Sequence, residues 1–188
     1  MYTSIVYAFL RSETPYWDTV AKYLPPEAQD RVLEVGCSRG SMVRRLQQVA
    51  SASYGVDVNE AAIKRGFVPN LAVMDATKLE FPDSTFDKLY SAHTIEHIPN
   101  LSLALKEMAR VLKKGCKALL IYPAEPIQGM FALFAAIVLW KNPRSIHVHK
   151  LTPQMLEQVF LPGAGLKVVS SKLTLFPRPE YHTVLEKT

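Results

Sequence analysis

Acidic and small residues recur in this chain wherever an apolar run stops. Val32-Leu-Glu34-Val-Gly36-Cys37-Ser38-Arg39-Gly40 ends one run, Gly55-Val-Asp57-Val58 a second, and Val73-Met-Asp75-Ala76 a third. Ser91-Ala-His93-Thr-Ile-Glu96-His97 follows a fourth. Gly36 lets the chain turn sharply, and Gly40 lets a following helix start close by with its N–H groups toward a ligand. Asp57, roughly 20 residues past that turn, is placed to accept hydrogen bonds from both hydroxyls of a ribose. Its competing role is to cap the next helix alongside Asn59. Asp75 faces the same choice between a ligand and a turn. A dinucleotide fingerprint needs a glycine where Ser38 stands, so that backbone can approach a pyrophosphate. Glu34 beside the turn would repel phosphates and suits a cationic or amine-bearing ligand.

The elements that must position these residues follow from hydrophobic period. Ser12-Glu-Thr-Pro15 starts a helix carrying Tyr16, Trp17, Val20, Tyr23 and Leu24, which Pro25-Pro26 stops. Residues 31–35, 53–58, 71–74, 85–91 and 117–122 read as strands. Helices are expected over 41–50, from Asn59 to Phe67, and from about Leu101 to Leu112. Strands alternating with helices predict an α/β fold, doubly wound around a mostly parallel sheet. Leu166–Phe176 and Tyr181–Glu186 flank Phe-Pro-Arg-Pro and would pair as a C-terminal antiparallel hairpin at one sheet edge. In such sheets ligands bind outside the carboxyl ends of the strands, which is where the polar residues fall.

Bulk properties narrow the class without naming it. The chain of 188 residues is 48% hydrophobic and 21% charged, ordinary for one globular domain. Its formal charge of +5 is scattered, and a solvated basic surface explains it better than a nucleic-acid footprint. Cys37 and Cys116 lack disulfide or metal spacing, which fits a reducing, cytoplasmic setting and no metal site. The opening MYTSIVYAFLRSETP has too short an apolar run and no basic leader for a signal peptide.

The quoted segments resemble the class I S-adenosylmethionine-dependent methyltransferases, of the small ubiquinone/menaquinone-methyltransferase-like type. Residues 32–40 are similar to the first motif, E/D-x-G-x-G-x-G, with Ser38 in place of the middle glycine. Gly-Val-Asp57-Val58-Asn resembles the second motif and Met74-Asp75-Ala76 the third. Phe86 to Ile98 is similar to the fourth-strand block, and Leu105 to Gly115 to the helix and turn before strand five. There Cys116 replaces the second glycine of the usual pair. The resemblance spans roughly residues 30–122. It implies S-adenosylmethionine as cofactor, with Glu34, Gly36, Cys37, Ser38 and Gly40 around its methionine part. Asp57 and Val58 would hold the ribose, Asp75 and Ala76 the adenine, and backbone around His93 the amino-acid end. It further implies a single domain over 1–188, divided into an N-terminal helical cap (1–28), a cofactor-binding core (29–122), a helical substrate or lid region (123–165) and C-terminal strands (166–188). Two rivals stand beside it: a dinucleotide-dependent oxidoreductase and a non-catalytic module that kept the fold.

Methyl transfer from a sulfonium is an in-line displacement, so the protein mainly positions the acceptor and excludes water. A base is needed only where the acceptor loses a proton. His97 and His93 are the candidate catalytic groups; His147, His149, Glu96 and Tyr122 stand behind them. His147 and His149 alternate just before the helix start Leu151-Thr-Pro-Gln, so an extended chain would put both imidazoles on one side. Residues 127–140, IQGMFALFAAIVLW, are apolar on every side yet too short to span a bilayer. They suit a buried helix, a lid over an apolar or lipid-like acceptor, or peripheral contact with a membrane. The aromatics Tyr2, Tyr7, Phe9, Tyr16 and Trp17 could close the same cavity.

Overall fold

A computed structural model of the chain describes residues 14–124, 148–175 and 179–188. Helix α1 (Thr14–Tyr23) precedes β1 (Val32–Val35), α2 (Ser41–Leu46), β2 (Ser53–Asp57), α3 (Glu60–Ile63) and β3 (Leu71–Val73). Then come β4 (Phe86–Ala92), a 3₁₀ turn (Ile95–His97), α4 (Leu101–Val111) and β5 (Leu112–Pro123). Helix α5 (Pro153–Met155) runs into a π-helical turn (Leu156–Phe160), followed by β6 (Leu166–Thr174) and β7 (Glu180–Lys187). The seven strands form one sheet in the order β3-β2-β1-β4-β5-β7-β6. Strands β1 to β5 pair in parallel, while β7 is antiparallel to both β5 and β6.

Every residue of β1 is buried, as a central parallel strand covered on both faces requires. On one face α4 buries Leu101, Ala104, Leu105, Met108 and Ala109 at helical spacing against Leu33, Leu89 and Leu120. Val20 from α1 and Leu24 just after it, with Leu46 from α2, pack against Val32, Tyr90 and Leu119 on the other. Burial of each large aliphatic side chain contributes about 1.5 to 3 kcal/mol. Asn100 caps α4 by accepting from the Leu103 amide at 3.3 Å. Arg110 ties the same helix to the β3–β4 loop. Its guanidinium grips both oxygens of Glu107 and reaches the carbonyls of Leu79 and Phe81 and the Asp83 carboxylate.

Several expectations change. Helix α2 ends at Leu46, short of residue 50, where the Gln48 and Val49 amides turn back on the Arg45 and Leu46 carbonyls. Strand β5 begins at Leu112, five residues before the predicted start at 117, because Leu112 pairs with Phe86 ahead of an irregularity in the ladder. Helix α3 ends at Ile63, short of Phe67, as Gly66 folds back on the Ile63 carbonyl and the Phe67 amide bonds the Arg39 carbonyl. The C-terminal pair is the expected hairpin, but its second strand is the inner one, lying between β5 and β6. Thr183, Val184 and Leu185 of β7 are buried, whereas Val169 and Leu173 of the edge strand β6 are exposed.

Candidate active site

The carboxyl ends of β1 and β2 meet around Asp57. Gly36 leaves β1 with φ 83°, and its amide and that of Cys37 bond the Val56 carbonyl of β2. A Cβ at Gly36 would lie 1.9 Å from Thr94 Oγ1, so the turn presses against the segment after β4. Ser38 keeps a left-handed φ of 50° and donates its amide to Asp57 Oδ2 at 2.7 Å. Asn59 donates its own amide to Asp57 Oδ1 at 2.8 Å and caps α3 through its side chain. Asp57 is therefore not the helix cap. Each of its oxygens takes one amide and retains a lone pair for an outside donor.

Glu34 is buried, and its Oε2 has no hydrogen-bond partner among the described residues. Burial pushes its carboxyl up to about 8, against the Val43 backbone N–H, and the charge on Asp57 adds to the rise. An isolated acid beside a second carboxylate suits a ligand that brings positive charge. Cys37 is buried between the same acids, and desolvation lifts its thiol well above the usual range, so it lines the turn as a neutral group. Gly40, at φ 77°, starts α2 against Leu71 of β3, whose side chain a Cβ would meet at 2.7 Å.

Beyond β3, Asp75 folds over a local turn, accepting from both the amide and the hydroxyl of Thr77 at 2.8 Å. Those bonds hold its carboxyl below the ordinary value. Ala76 is its neighbour, and Val58 projects into solvent at 73% exposure.

After β4 the chain turns through His93, left-handed at φ 50°, whose amide bonds the Ile121 carbonyl. His93 Nε2 is 2.9 Å from Glu180 Oε1, its Nδ1 is 3.4 Å from Glu96 Oε1, and the Tyr16 ring of α1 lies 5.5 Å away. Burial lowers the imidazole's proton affinity, but the two carboxylates outweigh it and raise the group to about 9. With an acid at each nitrogen, His93 rests as an imidazolium. His97 sits at the exposed end of the same turn, 4.0 Å from Glu96. Glu180 carries no motif and follows Pro-Arg-Pro; only the insertion of β7 beside β5 brings it here.

Two candidate bases are assigned elsewhere. Tyr122 is fully buried on β5 and shares a hydrogen bond with Thr183, its hydroxyl pushed up to about 12 by desolvation. His149 binds the Ile98 carbonyl at 2.9 Å and packs on Phe160, so it ties the segment before α5 to the turn after β4. His147 and residues 127–140 lie outside the described residues.

Comparison with known proteins places these features. Residues 33–120 match the family described as a methyltransferase domain. Among curated relatives, the sterol 4-C-methyltransferase of Caenorhabditis elegans is 32% identical over 52% of this chain and 32% of its own length. A ubiquinone/menaquinone biosynthesis C-methyltransferase of Bordetella avium is 33% identical over 48% of this chain and 40% of its own. The chain thus spans only about a third to two fifths of these relatives. A crystal structure of a SAM-dependent methyltransferase from Aquifex aeolicus superposes with a TM-score of 0.68 at 17% identity, covering 91% of this chain and 89% of that one. The buried Glu34, with one oxygen lacking a partner among the described residues, and the half-satisfied Asp57 fit a cationic ligand that carries a ribose, as S-adenosylmethionine is. With its glycine turn and strand-end acids, the chain is thus similar over residues 33–120 to the methyltransferase domain family, and it has the fold of a solved SAM-dependent methyltransferase.

Proposed function

We propose that this protein transfers the methyl group of S-adenosylmethionine to a small, apolar or lipid-like acceptor. Asp57 carries the reading: both its oxygens are oriented by neighbouring amides with lone pairs to spare, the arrangement a ribose diol needs. In this account Glu34, Gly36, Cys37, Ser38 and Gly40 surround the methionine part, Asp57 and Val58 the ribose, and Asp75 and Ala76 the adenine. Asp75 must then present its other oxygen, since Oδ1 is engaged by Thr77. Backbone around His93 faces the amino-acid end. When bound, the cofactor supplies a methyl group on an already activated leaving group; the chain's work is to orient the acceptor and exclude water. The apolar character of residues 127–140 favours an apolar acceptor, and the relatives named for sterol and quinone methylation support the same class.

Calorimetry with S-adenosylmethionine and with a nicotinamide dinucleotide tests the cofactor half, and only the former should bind. Incubation with labelled cofactor and vesicles carrying a sterol, a prenylated hydroquinone or phosphatidylethanolamine tests the acceptor half. Label should pass to one of the three. Binding without transfer to any extractable lipid would overturn the acceptor class while leaving the cofactor site in place.

A further inference from the structure

Imidazoles and carboxylates alternate in a file along the carboxyl end of β4. His97 Nε2 is 4.0 Å from Glu96 Oε1, which is 3.4 Å from His93 Nδ1. His93 Nε2 is 2.9 Å from Glu180 Oε1, and Glu180 Oε2 is 3.8 Å from His182 Nε2. The outer end, the His97 side chain, is 39% exposed; Glu96 is 1% exposed and Glu180 12%. The charged groups facing His93 are Glu96 from its own turn and Glu180 from β7, with Tyr16 from α1 and the Ile121 carbonyl from β5 completing its described surroundings.

A tie between elements does not account for Glu96. Both of its oxygens are buried without an aligned hydrogen bond among the described residues, a state that is costly for a structural carboxylate. His93 is held in a left-handed backbone, a strained position for a residue with a side chain. The wider gaps in the file, 3.4 and 4.0 Å, are short enough for a small side-chain rotation to bring the groups into hydrogen-bond distance.

We propose that Glu180, His93, Glu96 and His97 form a proton relay that carries away the proton lost by the methyl acceptor. The proposal rests on the methyl-transfer reading. In the reaction a bond forms between the acceptor atom and the methyl carbon, and the carbon–sulfur bond breaks with its electron pair kept by sulfur. The acceptor's proton passes to Glu180. His93 gives its Nδ1 proton to Glu96, and that proton leaves through His97 to water. A half-turn of the His93 ring then presents the bare nitrogen to Glu180, takes up its proton and restores the imidazolium. These are relay and positioning residues. His182, at the inner end, lies 3.8 Å from the second oxygen of Glu180.

The test uses the full chain with S-adenosylmethionine and, as probe acceptor, a prenylated hydroquinone in vesicles, beside an NMR titration of the histidines without acceptor. His97→Ala should lower kcat about tenfold near pH 7, leave KM and cofactor affinity within about twofold, and regain most of the loss with free imidazole. Glu96→Gln should lower kcat similarly without rescue. His93 should titrate above the ordinary histidine range in the parent, and about one unit or more lower in Glu96→Gln and in Glu180→Gln. An unaltered kcat in His97→Ala, or a loss that imidazole does not restore, overturns the relay. So does a His93 midpoint that neither glutamate variant moves, whether or not this probe acceptor is methylated. Failure of the parent to bind S-adenosylmethionine overturns the methyl-transfer reading instead, and the titration still judges the file.

Discussion

Asp57 divides its oxygens between the amides of Ser38 and Asn59, so two turns depend on one carboxylate. If those oxygens also hold a ribose, Asp57→Ala should weaken S-adenosylmethionine binding by about 2 to 4 kcal/mol, measured by calorimetry on folded protein. Ser38→Gly should leave affinity intact, because a glycine adopts φ 50° freely and still supplies the amide. Loss of binding in Ser38→Gly but not in Ser38→Ala would remove this turn from the ligand. Glu34 gives a pH signature. Its folded-state value, about 8, lies above the unfolded 4.5, so the fold binds more protons at that site than the unfolded chain does. The associated stability is present below pH 4.5 and is lost as pH rises through 8. Glu34→Gln should therefore stabilise the cofactor-free protein at pH 8 by up to a few kcal/mol, with no gain near pH 4.5. Denaturant melts at both pH values check this, and an equal effect at both rules out a buried, charge-starved carboxyl. Glu34 and Asp57 were legible in the sequence because each ends an apolar run beside a turn signal. Glu180 was not: its place depends on which strand β7 joins, and that is a long-range choice.

At the scale of elements, periodicity located every parallel strand and misplaced mainly ends. Ends depend on contacts remote in sequence, such as Leu112 pairing with Phe86 and the Phe67 amide bonding Arg39. Gly36 shows how a turn becomes obligatory: it needs positive φ and also has Thr94 where a Cβ would stand. Gly36→Ala should cost about 1 to 3 kcal/mol of stability and displace the turn after β4, reducing cofactor affinity as well. A melt unchanged from the parent would show that the two turns do not meet. Arg110 carries a different load, holding α4 and the β3–β4 loop through a planar fork that lysine cannot reproduce. Arg110→Lys should lower stability by about 1 to 3 kcal/mol while cofactor affinity stays within about twofold, since the fork lies away from Asp57. A selective loss of cofactor binding at unchanged stability would contradict that division.

For the whole molecule the decisive stretch is 127–140, which joins β5 to the segment that docks on the Glu96 carbonyl through the Val148 and His149 amides. Among the described residues no helix is long and apolar enough to cross a membrane. A stretch apolar on all sides must nevertheless be covered on all of them, by the domain, another subunit, a lipid or an apolar substrate. Both of its neighbours in the chain border the site: β5 supplies the Ile121 carbonyl under His93, and His149 binds the turn after β4. We propose that this cover is exchangeable. Leu133→Lys with Ile137→Lys, positions at helical spacing, should then reduce vesicle binding or turnover of a lipid acceptor by at least about tenfold. Cofactor affinity should be intact, because Glu34 and Asp57 lie at other strand ends. Were the stretch permanent core, the same lysines would be buried unpaired and the protein would unfold. Vesicle flotation run beside thermal melts, each with and without cofactor, separates the two outcomes. A collapsed melting temperature in the variant, with no flotation of the parent, would defeat the lid and membrane readings together.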